Sequence, residues 1–230
     1  MSTTAVITAR GGSKRIPRKN VRPFCGVPVI ARTLETVVAS ALFDRVYVSS
    51  EDEEILAIAS TTEGVTPLRR DAALADDMTP FVDVMAAVAA QLEDRVAPHE
   101  VVVGVLPTSP FLTRDDLRAV TTEAVTGRWS HVFLAARLPV PVERTFSRSP
   151  SGACMMIDPA HFRTRSQDLP AAFRDAGTAY AATSSTWRRG GMVFGAESTF
   201  VEIPAWRAHD LDTHDDWEYA EIVYRALSSR

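Results

Sequence analysis

The sequence predicts an α/β protein, a three-layer α/β/α sandwich around a mainly parallel sheet. The first observation is a series of apolar, β-branched segments, which lie at residues 4–9, 45–50, 100–106 and 131–137. The second is a set of longer segments with helical spacing between or after them, at residues 28–41, 52–62, 79–95 and 114–126. The third is that the strand segments are nearly continuous runs of Val, Ile and Leu, as expected for strands covered on both faces.

The sequence also marks the starts of three of these four helices. Ser50, Thr79 and Thr113 are the predicted N-caps of the last three helices. Residues 216–227 predict an amphipathic helix near the end of the chain.

Between the sheet segments and this helix, residues 138–200 are rich in Pro, Arg and Ser. We expect an insertion here, with strands at 153–158, 178–184 and 190–195. With no repeat or linker in view, residues 1–230 predict a single domain.

Composition excludes several classes of protein. The chain has 230 residues, 46% of them hydrophobic, which suffices for one substantial core. Its net charge of -4 argues against a nucleic-acid-binding protein. It has no uncharged apolar run approaching ~20 residues and no leader-like start, so we expect no membrane partner and a cytoplasmic location. Cys25 and Cys154 are the only cysteines, which excludes a disulfide framework and a zinc site.

A basic loop, ITARGGSKRIPRKN at 7–20, follows the first predicted strand. In parallel sheets, ligands bind at the carboxyl ends of strands. Gly11 and Gly12 let backbone amides approach an anion closely. The cations that can neutralise a triphosphate are Arg10, Lys14, Arg15, Arg18 and Lys19. Neither GxxxxGK[ST] nor GxGxxG is present, so these residues alone leave a phosphate site and a solvated basic turn both open.

An acidic pair lies near the other end of the chain, in HDLDT at 209–213. Asp210 and Asp212 are two residues apart, so on an extended segment both carboxylates project to the same side. Such hard oxygen ligands suit Mg²⁺. The alternative is an acidic turn that leads into the last helix.

The opening motif carries a resemblance. ARGGSKRIPRKN, followed by FCGVPVI, resembles the nucleotide-binding loop of the CMP-sugar synthetases, the acylneuraminate cytidylyltransferase family, which activate nine-carbon sugar acids. Further similar blocks are LFDRVYVSSEDEEI, LRRDAALADD, RSQDL, DAG and DLDTHDDWEYAE. These later blocks point to the members that activate pseudaminic acid. The resemblance implies a Rossmann-like sheet of the nucleotide-diphospho-sugar transferase type and a homodimer.

The implied activity is transfer of CMP from CTP to a small acidic acceptor, with release of pyrophosphate and with Mg²⁺ as cofactor. By position in the family, the nucleotide-binding residues would be Arg10, Gly11, Gly12, Ser13, Lys14, Lys19, Asn20, Arg70 and Asp77. The catalytic residues would be Arg10, Lys19, Asp210 and Asp212, and this aspartate pair would hold the metal. The acceptor-binding residues would be Thr108, Ser109, Arg144, Arg165 and Arg174. The insertion at 138–200 would contact the acceptor and a partner subunit.

The chain also departs from the family pattern. Leu106 stands where sialate synthetases carry Gln, which disfavours ordinary sialic acid as the acceptor. VPVERT and FRDAGTAYAA differ from the corresponding pseudaminate segments, and Arg174 adds a positive charge. A small phosphonate such as phosphonoformate is therefore an alternative acceptor. A catalytically silent nucleotide-binding protein is a further alternative, although binding alone does not require both the basic loop and the aspartate pair.

Overall fold

A computed structural model describes residues 2–76 and 78–228. The strands are β1 Thr3–Thr8, β2 Pro23–Phe24, β3 Val27–Pro28, β4 Arg45–Ser50, β5 Val65–Arg69, β6 Val101–Val105, β7 His131–Arg137, β8 Phe146–Arg148, β9 Cys154–Met156, β10 Phe173–Thr183 and β11 Ser198–Ile203. The helices are α1 Val29–Ala39, α2 Glu53–Thr61, α3 Phe81–Gln91, α4 Arg114–Val125, α5 Ser184–Arg189 and α6 His214–Ser228.

Seven strands form the central sheet in the order β11-β7-β10-β6-β1-β4-β5. β10 runs antiparallel to both its neighbours, and the other pairs in the sheet are parallel. The mainly parallel sheet is therefore confirmed. The carboxyl ends of the parallel strands and the start of β10 lie at one edge, and this edge carries the site described below.

Helices cover both faces of the sheet, as the continuous apolar strands predict. Ala5 and Ile7 of β1 face a core shared with α1, α2 and α4, whereas Val6 faces a core shared with α3 and α5. Alternate residues of a strand point to opposite faces, so each strand contributes to both cores. A third apolar cluster joins Ile16 of the basic loop to Trp217 of α6. The three-layer sandwich is confirmed.

Several local predictions were wrong. Asp52 rather than Ser50 caps α2, and Pro80 rather than Thr79 precedes α3. Thr113 does cap α4, in a capping box with Asp116. The predicted strand at 190–195 is a turn, because its glycines favour bends over a ladder.

The predicted insertion is only partly separate from the sheet. β10 and α5 fall inside 138–200, yet β10 lies between β6 and β7 in the central sheet. The part outside the sheet before β10 is the arm, residues 138–172, which contains the β8–β9 hairpin and short 3-10 turns. β10 itself has an irregular middle: Asp175 lies opposite Ala135 and Tyr180 opposite Phe133, leaving unmatched residues between them.

Candidate active site

A cavity of about 480 Å³ opens at the carboxyl ends of β1 and β6. Many of the predicted site residues line it: Arg10, Gly12, Ser13, Lys14, Lys19, Asn20, Arg70 and Thr108. It is also lined by residues that the sequence did not single out as ligands, including Thr8, Leu74, Asp76, Thr79, Phe81, Val84 and Pro107. The structure thus brings the basic loop, the β5 end and the loop after β6 together around one space.

The basic loop is held by its own side chains as well as by the core. Asn20 is buried and donates its amide to the Arg10 carbonyl at 2.8 Å. Arg10 donates to the Asp76 carbonyl at 2.7 Å. Ile16 is fully buried in the third apolar cluster. The loop therefore has a defined shape around the cavity.

Glu51 is a residue of this site that the sequence reasoning missed. Its Oε1 accepts the Gly11 N–H at 2.7 Å, and its Oε2 accepts Arg70 at 2.9 Å. Arg70 also donates to the Ala9 carbonyl at 3.2 Å and is buried. The Gly11 amide, predicted to approach an anion, is bonded to Glu51. A Cβ at Gly11 would collide with the Asp52 carboxylate, and this close approach explains the glycine.

Arg18 does not line the cavity. It has a left-handed backbone, with φ of 56°, and its guanidinium contacts Asp52 and Glu54 at the start of α2. Asp52 also accepts the amides of Glu54 and Ile55. Arg18 therefore anchors the loop to α2 rather than facing the phosphate space, contrary to its predicted part in neutralising a triphosphate.

The predicted acidic pair lies beside the basic loop. One oxygen of Asp212 is 3.2 Å from the Lys19 ammonium, and the other is 2.8 Å from the Arg15 guanidinium. Leu211 between the two aspartates is buried in the third apolar cluster, which fixes the segment. Residues 193 positions apart in sequence, Lys19 and Asp212, are thus in direct contact.

Asp210 lies against the irregular part of β10. A Cβ built on Gly177, whose φ is +62°, would come within 2.9 Å of Asp210 Oδ1. Partial burial, followed by the nearby charges of Asp212 and Asp175, raises the pKa of Asp210 above its ordinary value. The pair therefore concentrates negative charge where the basic loop ends.

Asp210 and Asp212 offer a limited set of metal ligands. Within residues 2–76 and 78–228, no group of three or more His, Cys, Asp or Glu side chains is placed to hold a metal ion. A cation bound here would take its remaining ligands from water and phosphate oxygens. Mg²⁺ is bound in this manner, by one or two carboxylates plus substrate phosphates, so the donor set fits it.

A second cavity, of about 270 Å³, has aromatic walls. It is lined by Phe133, Ala135, Phe173, Arg174, Asp175, Phe194 and Phe200. Arg174 donates to the Ala208 carbonyl, two residues before Asp210. Asp175 accepts the Gly177 N–H at 3.1 Å and the Tyr180 hydroxyl at 2.5 Å. Asp175, in the DAG block but given no role from the sequence, thus lies between the second cavity and Asp210.

The remaining predicted acceptor residues lie elsewhere. Ser109 is buried, and its hydroxyl donates to the Leu106 carbonyl at 2.8 Å. Arg144 donates to the Phe162 carbonyl at 3.1 Å, and Arg165 pairs with Asp168 at 2.8 Å, both within the arm. None of the three lines either cavity. Asp77 lies outside the described residues.

The doubly covered parallel sheet, with a basic loop and two carboxylates at its ligand-binding edge, defines a nucleotide-handling α/β enzyme. Residues 4–145 match the family model described as Cytidylyltransferase. The chain belongs to the cytidylyltransferase family.

Relatives are found over nearly the whole length. The chain is 34% identical to the pseudaminic acid cytidylyltransferase of Campylobacter jejuni over 98% of this chain and 97% of that protein. It is 28% identical to the CMP-N,N'-diacetyllegionaminic acid synthase of Legionella pneumophila over 71% of this chain and 69% of that protein. The solved structure of a CMP:2-keto-3-deoxy-manno-octonic acid synthetase complexed with CTP shares the fold, with a TM-score of 0.71 and 16% identity over 99% and 100% of the two chains.

Among the helices of the described residues, none is long and apolar enough to cross a membrane.

Proposed function

We propose that this enzyme transfers CMP from CTP to a nonulosonic acid, with pseudaminic acid as the acceptor, and releases pyrophosphate. The observation that carries the proposal is that Lys19 of the basic loop, which lines the main cavity, is in direct contact with Asp212 of the aspartate pair. The full-length similarity to a pseudaminic acid cytidylyltransferase supports the choice of acceptor.

The reaction forms a bond between an acceptor hydroxyl oxygen and the α-phosphorus of CTP. The bond from that phosphorus to the oxygen that bridges it to the β-phosphorus breaks, and its electron pair leaves with pyrophosphate. The acceptor's hydroxyl proton is released to water. Ser13, Lys14 and Lys19 line the cavity and are assigned to the triphosphate, with Arg10 and Asn20 shaping the loop around it. Their contribution is positioning and charge neutralisation rather than covalent chemistry.

A divalent cation, Mg²⁺, is part of the proposal, and Asp210 and Asp212 are the residues assigned to hold it. The chemistry it supplies when bound is neutralisation of charge on phosphate oxygens. Asp210→Asn and Asp212→Asn keep the side-chain size and remove one ligand charge each. We expect both variants to retain their melting temperature and CTP binding while turnover falls by orders of magnitude. If both variants turned over CTP at the wild-type rate at limiting Mg²⁺, the metal would have to be held by other residues.

The acceptor is assigned to the second cavity and its border with Asp210. The apolar walls of this cavity suit methyl and acyl groups; they are formed by Phe133, Phe173, Phe194 and Phe200. The name of one relative, CMP-N,N'-diacetyllegionaminic acid synthase, indicates a sugar acid that carries two acetyl groups. A phosphonate would leave these walls without apolar partners, and no relative reported above supports it.

A homodimer is proposed through the arm. Phe146, Met155, Ile157 and Phe162 of the arm are large apolar side chains that stand exposed, which is typical of an interface. In a dimer, Arg144 and Arg165 would be supplied to the acceptor site of the partner subunit. We also propose a cytoplasmic location, where CTP is available.

The test is pyrophosphate release with CTP and Mg²⁺ across a panel of acceptors. Pseudaminate, legionaminate, sialate, 3-deoxyoctulosonate and phosphonoformate would be compared with a blank without acceptor. We expect the highest kcat/KM with pseudaminate and little release from ATP, GTP or UTP, since a polar base site discriminates well. Preference for phosphonoformate, or equal turnover with ATP, would contradict the proposal.

A further inference from the structure

Both carboxylate oxygens of Asp212 contact cations of the basic loop. Its Oδ1 is 3.2 Å from Lys19 Nζ and its Oδ2 is 2.8 Å from an Arg15 nitrogen. The Arg15 side chain is 67% exposed and that of Asp212 is 29% exposed, so the pair is open to exchange with solutes. A metal ion that binds Asp212 has to compete with these two cations.

Arg15 and Arg18, both in the basic loop, have guanidinium groups in different surroundings. Arg18 is committed to Asp52 and Glu54 at the start of α2. Arg15 instead both lines the main cavity and pairs with Asp212. One guanidinium therefore lies within reach of two partners, the carboxylate and any phosphate that enters the cavity.

Guanidinium groups bind phosphate bidentately and strongly, so an entering triphosphate is a better partner for Arg15 than one partly exposed carboxylate. Movement of Arg15 to the phosphate would release Asp212 Oδ2. The oxygen would then be free for a cation, at the moment when phosphate oxygens are also present to complete its ligands.

We propose that Arg15 is a positioning residue that couples nucleotide loading to metal loading. In the free enzyme it opposes metal binding at Asp212, and with nucleotide present it binds phosphate and exposes that carboxylate. The inference rests on the proposed function, because it takes the Asp210 and Asp212 pair as the metal ligands. Coupling of this kind is reciprocal, so metal and nucleotide each favour binding of the other.

The experiment measures two binary affinities, so that no metal–nucleotide complex forms in solution. Mn²⁺ binding to nucleotide-free protein is followed by electron paramagnetic resonance, and CTP binding is followed by calorimetry in EDTA. Wild type is compared with Arg15→Gln and with the control Arg18→Gln, which removes a loop arginine whose ion pairs are directed to α2.

Arg15→Gln is expected to bind Mn²⁺ about threefold to fivefold more tightly and metal-free CTP more weakly by a similar factor, as for loss of a partly exposed ion pair. Arg18→Gln is expected to leave Mn²⁺ affinity unchanged. A residue with a purely structural role would move both affinities in the same direction. If the melting temperature of Arg15→Gln falls, Arg15→Ala repeats the comparison.

Unchanged or weaker Mn²⁺ binding by Arg15→Gln would overturn the inference, and so would unchanged CTP binding. These outcomes are separate from failure of the proposed function. A wild-type protein that binds no CTP under any condition would contradict the function itself, whereas a wild-type protein that binds CTP and releases pyrophosphate without the expected Arg15 effect would contradict only the coupling.

Discussion

Glu51 connects the nucleotide loop to a buried arginine. Its two oxygens accept Gly11 and Arg70, and the Arg70 side chain is only 4% exposed. A buried guanidinium without a counter-charge is costly, so the Glu51 carboxylate offsets the charge of Arg70 at the cavity wall. At the second cavity, Asp175 accepts hydrogen bonds from the Gly177 N–H and the Tyr180 hydroxyl. At the residue scale, carboxylates therefore fix groups at the walls of both cavities.

Gly177 provides a test of this arrangement. Gly177→Ala places a Cβ within 2.9 Å of Asp210 Oδ1 in a left-handed backbone. We expect a loss of about 1–2 kcal/mol in the free energy of unfolding, from the backbone conformation, and a fall in turnover from the displaced carboxylate.

The matched control is Gly152→Ala, since Gly152 also has a positive φ of 89° but meets only an Arg148 side chain at 3.7 Å. It should lose similar stability in a urea titration and keep its turnover. Equal turnover in the two variants would show that Asp210 tolerates displacement.

These residues also define how far the site can be read from the sequence. The basic loop and the aspartate pair are local patterns, so Lys19 and Asp212 were predicted. Glu51 acts through a contact with Gly11, 40 residues away in the sequence, and no local pattern marks it. Asp175 bonds within its own strand, to Gly177 and Tyr180, in an irregular part of β10 that the sequence pattern does not show. Ser109 failed to reach the cavity for a similar reason, because a polar residue after a strand can equally bond to its own turn.

At the scale of elements, Asp52 has two structural roles at the start of α2. Asp52 caps the helix through the Glu54 and Ile55 amides and pairs with Arg18. The Arg18 hydrogen bond is the largest cause that lowers the pKa of Asp52 below its ordinary value. One carboxylate thus joins the basic loop to the sheet edge and starts the helix.

This pKa shift predicts a pH dependence. Because the folded pKa of Asp52 is lowered, its stabilising contribution is present above the unfolded pKa of about 3.9 and is lost as pH falls toward the folded pKa. Asp52→Asn keeps a good cap and cannot titrate. Unfolding free energies measured from pH 7 downward should therefore fall less steeply below about pH 4 in Asp52→Asn than in wild type. Parallel curves would show that the ion pair contributes nothing.

The elements that the sequence missed have physical explanations. β5 contains Pro67 and Arg69 and lies at a sheet edge, so it lacks the apolar run of a central strand. β11 lies at the other edge. The prediction of a strand at 178–184 found only the second half of β10, because Gly177 and its unmatched neighbours conceal the period of two in the first half. In contrast, β1, β4, β6 and β7 are covered on both faces and were recognised from their continuous apolar residues.

At the scale of the whole molecule, the arm and the sheet have different surfaces. The sheet buries its apolar residues between helices, whereas the arm exposes Phe146 and Phe162, each more than half accessible. The Arg144 and Arg165 side chains lie in the same arm, outside both cavities. In the proposed dimer, the second copy of the chain would cover Phe146 and Phe162. Arg144 and Arg165 would enter the acceptor site of that second copy.

The proposed dimer predicts a linked loss of assembly and acceptor use. Phe146→Asp should shift the protein to monomer in sedimentation equilibrium and raise the KM for pseudaminate. CTP binding should persist, because no residue of the arm lines the main cavity. Ile222→Asp, an exposed apolar site on α6, is the control and should leave the oligomeric state unchanged. A wild-type protein that is already monomeric and fully active would contradict this prediction.

The central claim is that two distant segments of one chain, the basic loop and the aspartate pair, form a site that transfers CMP. The most direct measurement is identification of the product from CTP labelled at the α-phosphate, incubated with Mg²⁺ and pseudaminic acid. We predict one labelled product, CMP joined to the sugar acid, together with an equimolar amount of unlabelled pyrophosphate. Label found only in free CMP, or retained in CTP under all conditions, would contradict it.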